Sequence, residues 1–287
     1  DHAYEASFRV AISDDELPEG RGGEVIDAYL AWQREALHGE LDGDPNSRLL
    51  ALFDDTQRLL ERVMADPDAS QTLQRHWTLA QLDNLYLVLG DLPIEEQTAG
   101  LFNGPGLIGG SPRAPEYVRQ RISRLQRTAV SLGRDLLLDY RRRWPGMEAR
   151  EAAGILLELG DWYQWNDKPQ SALDHYRAAV HTLVRADMND EFEGWFSSAS
   201  ALPAREVFAP QIEPDVDPPS AIVAAEFEVS SRGNVSGITV NAEGPESEPR
   251  ARFLKSMLRD THFRPKMLPD GTPADCIVTR RYEVFGR

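Results

Sequence analysis

Six histidines are the side chains of this chain best suited to acid–base or metal chemistry, and their spacing supports neither. They are His2, His38, His76, His175, His181 and His262. None belongs to a His-Glu-x-x-His motif, and no two lie four residues apart, the spacing that places two imidazoles on one helix face for zinc. His175 and His181 are six residues apart, so they lie on different faces of a helix. The sequence therefore predicts no metal site.

Other catalytic patterns are also missing from the sequence. The chain has no Gly-x-Ser-x-Gly elbow and no Gly-x-Gly-x-x-Gly fingerprint. A phosphate-binding loop ends in Gly-Lys-Ser/Thr, and Gly109-Gly110-Ser111-Pro112 lacks the lysine. Acidic pairs such as Asp14-Asp15 and Asp54-Asp55 stand at helix ends or in loops, where a solvated or capping role is typical. We therefore expect a binding protein, not an enzyme, with no cofactor.

Charge narrows the choice of partner. The 287 residues include 47 acidic and 31 basic side chains, which give a formal net charge of −16. Only 12 of the acidic and 10 of the basic residues lie from Pro210 onward, so the acidic excess is concentrated before that point. An acidic surface repels phosphate backbones and anionic lipid. We therefore expect a protein or peptide partner, no nucleic acid and no direct membrane binding.

The single cysteine and the chain start bear on the cellular compartment. Cys276 alone excludes an intramolecular disulfide and a zinc site built from cysteines, and with no basic neighbour in sequence it is expected to be a small strand residue. No run approaches the roughly 18 apolar residues of a membrane helix. Because the chain begins at Asp1-His2 and not at methionine, we expect a signal peptide or a membrane anchor upstream, and the sequence leaves both open.

The last quarter of the chain carries a strand and turn pattern. Apolar and polar residues alternate from Val223 to Val229, as in a strand with one buried face. Ser231-Arg232-Gly233-Asn234 is turn chemistry, and a three-residue step from Val235 to Ile238 predicts a bulge near Gly237. The predicted order is strand, strand, helix, strand (ββαβ), over Val223–Val229, Val235–Val240, Phe253–Leu258 and Cys276–Phe285.

In this quarter the chain resembles the C-terminal domain of TonB-type energy transducers. The residues that carry the resemblance are, in order, Phe227-Glu228-Val229, Arg232-Gly233-Asn234-Val235, Phe263-Arg264-Pro265, Asp270-Gly271-Thr272-Pro273 and Tyr282-Glu283-Val284. One departure is the stretch before the first strand. Pro210–Pro219 is too rich in proline for the short helix that the family carries there.

The resemblance implies a periplasmic protein whose last strand pairs with a short segment of an outer-membrane receptor. The edge residues that it implies are Cys276, Val278, Thr279, Arg280, Arg281 and Tyr282. Thr279-Arg280-Arg281 would make that edge a basic patch suited to an acidic peptide. Charged residues on an edge strand also protect it from aggregation, so both interpretations stay open.

The middle of the chain, from Glu24 to about Ser198, has helical periodicity. It predicts a helix opening near Glu24, helices over 49–63, 70–88 and 115–144, and an irregular loop from Glu95 to Arg113. Two further helices, joined by Asn166-Asp167-Lys168-Pro169, resemble one tetratricopeptide repeat (TPR). The matching residues are Leu156, Leu159, Gly160, Tyr163, Ala172, Tyr176 and Ala179.

The TPR resemblance implies that Gly160 and Ala172 are small because the paired helices cross closely there. One repeat cannot bury its face alone, so the preceding helices are expected to be its neighbours. Two interpretations remain for the aromatic residues of the pair. They line a peptide groove or belong to the core, and they are Trp162, Tyr163, Trp165 and Tyr176.

The predicted fold class is α+β, an all-helical TPR-like domain followed by a small ββαβ domain like the TonB C-terminus. The predicted divisions are an N-terminal strand or flexible segment over 1–20, the helical domain over 21–200, a Pro-rich linker over 201–219 and the ββαβ domain over 220–287. Alternation from Tyr4 to Ile12 predicts a strand that joins the C-terminal sheet, with a frayed terminus as the alternative.

Two functions remain from the sequence. The first is a periplasmic TonB-like protein that binds a peptide segment of an outer-membrane receptor or other envelope protein and is linked to TonB-dependent transport. The second is a periplasmic TPR scaffold or adaptor without an energy-transducing role, which the altered Pro210–Pro219 stretch favours.

Overall fold

The structure, a computed structural model, describes residues 9–12, 45–90, 115–202, 221–241 and 247–285. Within these ranges the fold is α+β, as predicted, with seven helices and small antiparallel sheets. The chain divides into two compact units. We call Ala31–Gly146 the helical unit, and Asp1–Leu30 together with Met147–Arg287 the sheet unit.

The described part of the helical unit contains three helices: α1 Pro45–Ala65, α2 Gln71–Gly90 and α3 Glu116–Arg143. They confirm the helices predicted over 49–63, 70–88 and 115–144. Each contributes apolar side chains to the interior, including Leu50, Phe53, Leu60, Leu82, Leu85, Tyr86, Val118, Ile122 and Leu137. The predicted helix near Glu24 and the loop from Glu95 to Arg113 lie outside the described residues.

One side of α2 is polar although it is buried. Trp144 Nε1 donates to Gln74 Oε1 at 3.0 Å, and Gln81 Nε2 donates to Gln57 Oε1 at 3.0 Å. Asn84 Nδ2 donates to Gln81 Oε1 at 3.2 Å. Because a buried amide without a partner costs free energy, these bonds favour one arrangement of the three helices.

The helical part of the sheet unit consists of three helices, α4 Ala149–Trp165, α5 Pro169–Arg185 and α6 Asn189–Phe196. A methyl carbon added at Gly160 would lie 2.3 Å from Cε1 of Tyr176, so only glycine fits between the helices there. This confirms the predicted close crossing of α4 and α5. Ala172 is fully buried at the same helix pair.

The main sheet of this unit has four antiparallel strands. They are β1 Arg9–Ile12, β3 Ala221–Val229, β4 Val235–Asn241 and β8 Cys276–Phe285, and they lie in the order β1-β8-β3-β4. Helix α7, Ser247–Asp260, packs against β4. The two short pairs are β2 Ser200–Ala201 with β5 Phe263–Arg264, and β6 Lys266–Met267 with β7 Pro273–Ala274. The core between sheet and helix includes Val223, Phe227, Leu254, Leu258, Phe263 and Tyr282.

The turn between β3 and β4 has the predicted geometry. Gly233 has a φ of 80°, a backbone conformation in which any residue with a side chain would be strained. The N–H of Gly233 donates to Ser230 O at 2.7 Å. Glu226 pairs with Thr239 whereas Glu228 pairs with Ser236, so β4 contains one extra residue. Gly237, with a φ of 63°, lies in that step and confirms the predicted bulge.

The strand predicted over residues 4–12 is present over Arg9–Ile12 and joins the C-terminal sheet by pairing with β8. The rest of the 1–20 segment and the linker beyond residue 202 lie outside the described residues.

The two compact units meet at Gly146, whereas the sequence predicted a division at the Pro-rich linker. Met267 of β6 is buried in one cluster with Tyr176 and Phe196 of the helical part. A periodic sequence shows that a helix has an apolar face but not which element covers it. Here the strands at the end of the chain cover α5 and α6.

Candidate functional site

The two flanks of β8 differ. On one flank β8 pairs with β3 over nine residues, from Val229 opposite Cys276 to Ala221 opposite Val284. On the other flank β1 pairs with the last four residues, from Ile12 opposite Tyr282 to Arg9 opposite Phe285. The prediction that the whole last strand is an edge is therefore wrong from Tyr282 onward, because the N-terminal strand occupies that position.

The part of this flank without a described partner strand is Cys276–Arg280. No strand of the described ranges pairs with it on the side away from β3. We call this segment the open flank of β8. An open flank presents backbone N–H and C=O groups that an additional extended chain can pair with.

The predicted basic patch does not form one surface, because successive side chains of a strand point to opposite faces. Val278 and Tyr282 are buried against α7. Arg280 lies on that same face, with its guanidinium carbon 5.6 Å from the centre of the Phe263 ring. Thr279 and Arg281 are exposed on the opposite face. The three residues of the predicted patch are therefore divided between the two faces.

Cys276 is half-buried opposite Val229 and packs against the core cluster of the sheet. This position agrees with the prediction of a small strand residue. Two exposed apolar side chains lie on the outer face, Ile277 at 73% exposure and Ile222 at 61%. Ile277 pairs with Glu228, six residues along β3 from Ile222, which is about 20 Å in a strand. They do not form one apolar patch.

The predicted aromatic groove on the helical pair is wrong for two of its four residues. Trp162 and Tyr176 have no exposed surface and belong to the core, which is the alternative interpretation. Tyr163 and Trp165 are half-buried. The Tyr163 ring stacks on His175 with centroids 5.4 Å apart, and Trp165 stacks on Trp162 at 6.3 Å. The four side chains therefore do not line a common open groove.

A buried ion pair that sequence reasoning missed joins α4 to β5. Arg264 binds Asp161 through two hydrogen bonds, from Nε to Oδ1 at 2.9 Å and from Nη2 to Oδ2 at 2.6 Å. Tyr176 Oη also donates to Asp161 Oδ1 at 2.9 Å, and Arg264 Nη1 donates to Trp195 O at 2.9 Å. Only 13% of the Arg264 side chain and 10% of the Asp161 side chain are exposed. The four residues hold α4, α5, α6 and β5 together.

Asp161 stabilises the charged form of Arg264. Burial lowers the pKa of the guanidinium, but the Asp161 carboxylate and its hydrogen bonds raise that pKa by more, so the net change is upward. The sequence offers one signal for this pair. Asp161 lies between the apolar pairs Leu159-Gly160 and Trp162-Tyr163, and an acidic side chain buried among such residues needs a partner.

Two further contacts connect the helical pair to the strands. Gln164 Nε2 donates to Arg232 O at 2.8 Å, beside the turn at Gly233. His181 Nε2 lies 3.2 Å from Asp270 O in the turn between β6 and β7. Both contacts begin on helices α4 or α5 and end on turns of the C-terminal strands. These contacts therefore link the helices and the strands of the sheet unit.

Features of catalytic sites are sparse in the described ranges. No group of three or more His, Cys, Asp or Glu side chains there could hold a metal ion. A shallow depression of about 380 Å³ is lined by Glu116, Arg119, Gln120, Ser123, Arg124 and Arg127. All six belong to α3, so the depression is a furrow on one helix surface. None of the described helices is long and apolar enough to cross a membrane.

No protein-family model matches the chain, and neither a curated protein nor a solved structure matches it.

Proposed function

We propose that this chain is a periplasmic protein that binds an extended segment of an envelope protein by adding it as a strand to β8. The observation that carries the proposal is the open flank, Cys276–Arg280, which pairs with β3 on one side only within the described ranges. The resemblance to TonB C-terminal domains suggests the partner, a periplasmic segment of an outer-membrane receptor. The order β8-β3-β4 with α7 packed on β4 supports it.

The physical basis of binding is backbone pairing. An added strand would pair with the N–H and C=O groups of the open flank, which gives affinity that depends little on sequence. Selectivity would come from side chains beside the flank. Ile277 and Thr279 lie on the outer face, and Arg280 lies on the face shared with Phe263.

Two proline substitutions on adjacent residues test the proposal, Thr279→Pro and Arg280→Pro. Adjacent N–H groups of a strand point to opposite flanks, so one substitution removes a donor from the β3 ladder and the other removes a donor from the open flank. The variant with the lower melting temperature is the one that has lost a donor to β3, because loss of a ladder hydrogen bond destabilises the fold. We expect the other, better-folded variant to lose at least about tenfold in affinity, one strong hydrogen bond or more.

The ligands for this test are synthetic peptides that cover the periplasm-facing segments of the outer-membrane receptors in the same genome. Thr279→Ala and Arg280→Ala are the matched controls, since they shorten each side chain but keep the N–H. Strand addition at this flank is wrong if peptides bind and neither proline variant weakens them. It is also wrong if no receptor peptide binds.

A second candidate is a periplasmic TPR scaffold or adaptor without an energy-transducing role. The observation that favours it is the joining of α4, α5 and α6 to the C-terminal strands in one compact unit. A module that hangs from a flexible linker would lack the Asp161–Arg264 pair and the Met267 contact. A stiff combined unit suits a protein that holds partners together.

Receptor-dependent uptake distinguishes the two candidates. In a strain that lacks the gene, the transport role predicts loss of uptake through at least one outer-membrane receptor. The scaffold role predicts normal uptake together with the loss of a protein complex. Complementation with the Asp161→Ala variant, at equal protein level, measures how much either phenotype depends on the contacts that join α4, α5 and α6 to the C-terminal strands.

A further inference from the structure

Helix α3 is a basic element in an acidic chain. Its 28 residues include eight arginines and three acidic side chains, which give the helix a net charge of +5. The whole chain has 31 basic and 47 acidic residues, so 23 basic and 44 acidic residues lie outside α3 and give a net charge of −21. Positive charge is therefore gathered on this one helix.

The arginines of α3 fall into two groups. The last three, Arg141–Arg143, lie in the final turn, where positive side chains interact favourably with the negative end of the helix dipole. In the N-terminal half, Arg121, Arg124 and Arg127 follow one another at intervals of three residues, which places like charges beside each other. Helix stability therefore accounts for the last-turn arginines but not for those of the N-terminal half.

Three arginines of the N-terminal half line the shallow depression on α3, and we call them the arginine cluster. They are Arg119, Arg124 and Arg127, and Gln120 and Ser123 lie between them in the same depression. All five side chains are exposed. Their guanidinium, amide and hydroxyl groups can all donate hydrogen bonds, so the depression is suited to a ligand that accepts them.

The ion pair at one end of the depression is exposed. Arg119 pairs with Glu116, and 48% of the Arg119 side chain and 64% of the Glu116 side chain remain exposed. An ion pair with this exposure contributes little to stability. Arg119 can therefore exchange Glu116 for a carboxylate of a partner at low cost.

We propose that the arginine cluster binds an acidic segment of another protein, a short run of Asp or Glu side chains. The planar guanidinium of arginine matches a carboxylate through two parallel hydrogen bonds. Arg119 and Arg127 are eight residues apart, about 12 Å along the helix, and an extended run of about four acidic residues spans that length. The inference goes beyond the proposed function, because α3 and β8 belong to different units.

Charge complementarity selects this partner over a nucleic acid. A short run of carboxylates can stay within the positive charge of α3. A long polyanion would extend beyond the helix and meet a chain whose remaining net charge is −21, which repels it. A second copy of this chain would bring a further net charge of −16.

Fluorescence anisotropy with a labelled hexaglutamate peptide tests the inference in the full chain. We expect Arg124→Glu with Arg127→Glu to weaken binding at least about tenfold, because attraction becomes repulsion at two positions of the cluster. Raising the salt concentration from about 50 mM to about 300 mM should also weaken binding by the unsubstituted protein, since exposed charges are screened. Absence of binding at the lower salt concentration would overturn the inference.

The matched control is Arg141→Glu with Arg143→Glu. It changes the net charge by the same amount on the same helix, but outside the depression. We expect it to weaken binding by less than about threefold, because charges more than a Debye length away are largely screened. Equal losses in the two variants would show that the peptide responds to net charge alone, which contradicts a site at the cluster.

Melting temperature reports whether the cluster has a structural role instead. We expect Arg124→Glu with Arg127→Glu to melt close to the unsubstituted protein, because the change places a carboxylate beside Arg121 in place of a like charge. A large fall would mean that these arginines hold a contact within the chain, and the inference would then be wrong. Arg124→Gln with Arg127→Gln, which removes charge without reversing it, should still weaken binding at least about threefold.

Two further measurements distinguish other occupants. A thymidine oligonucleotide with the same number of negative charges should bind more weakly than hexaglutamate, and tighter binding would indicate a nucleic-acid interface. Light scattering would detect salt-sensitive association between copies of the chain. If Arg124→Glu with Arg127→Glu abolished such association, the occupant would be a second copy, which also contradicts the proposed acidic partner.

Discussion

At the scale of single residues, the Asp161–Arg264 pair is the ion pair whose geometry matters most for stability. Both side chains are almost fully buried, and each of the two Asp161 oxygens accepts a hydrogen bond from Arg264. Removing one partner of such a pair leaves an uncompensated charge that is mostly shielded from water. The pair therefore specifies how α4 and β5 meet, whatever its net contribution to stability.

We predict that Asp161→Ala lowers the free energy of unfolding by about 3–5 kcal/mol, because it leaves the Arg264 guanidinium and the Tyr176 hydroxyl without their shared acceptor. Urea denaturation measures the change. Asp174→Ala is the control, since Asp174 forms an exposed pair with Arg177 and should cost under about 1 kcal/mol. Equal losses in the two variants would contradict the structural role of the buried pair.

At the scale of elements, the sequence predicted the helices and strands well and their neighbours poorly. Period-two alternation located β3 and β8, and Gly233 and Gly237 located the turn and the bulge. The pairing of β1 with β8 follows from no local pattern, because alternation shows that a strand has two faces but not which strand lies beside it. The division of Arg280 and Arg281 between two faces, in contrast, follows from alternation along β8 alone and does not depend on the register.

The crossing of α4 and α5 gives a matched pair of glycine substitutions. Gly160→Ala would place a methyl group against the Tyr176 ring, and we expect it to destabilise the protein by about 1–3 kcal/mol despite the better helix propensity of alanine. Gly194→Ala in α6 meets nothing within 4 Å and should be neutral or stabilising by up to about 1 kcal/mol. Thermal unfolding of both variants tests the crossing, and a stable Gly160→Ala protein would contradict it.

The turn between β6 and β7 gives a prediction about pH. The backbone N–H of Thr272 donates to Asp270 Oδ1 at 2.8 Å, and this bond lowers the pKa of the Asp270 carboxyl below its ordinary value of about 3.9. A lowered pKa in the folded state means that the carboxylate adds stability above the unfolded pKa, and that this is lost as the pH falls through the folded pKa. A carboxyl-carbon NMR titration should place the Asp270 midpoint below that ordinary value; a midpoint at or above it would contradict the hydrogen bond.

At the scale of the whole molecule, the acidic composition directs attention to peptide and protein partners as hypotheses, but it does not locate the site. The division at Gly146 places the last helical pair with the C-terminal strands, and the sequence placed it with the preceding helices. The difference between the predicted division and the two compact units has a physical cause. Asp161 and Arg264, which join the helical part to the strands, are 103 positions apart, so no local pattern connects them.

The central claim is that β8 accepts an extended peptide along Cys276–Arg280, and amide hydrogen exchange at single-residue resolution tests it most directly. Amides of β8 that face β3 are already paired, whereas alternate amides face the open flank. When a receptor peptide is bound, we predict slower exchange at the alternate, outward-facing amides of Cys276–Arg280 and little change at their neighbours. A bound peptide that leaves exchange in this segment unchanged would contradict the account.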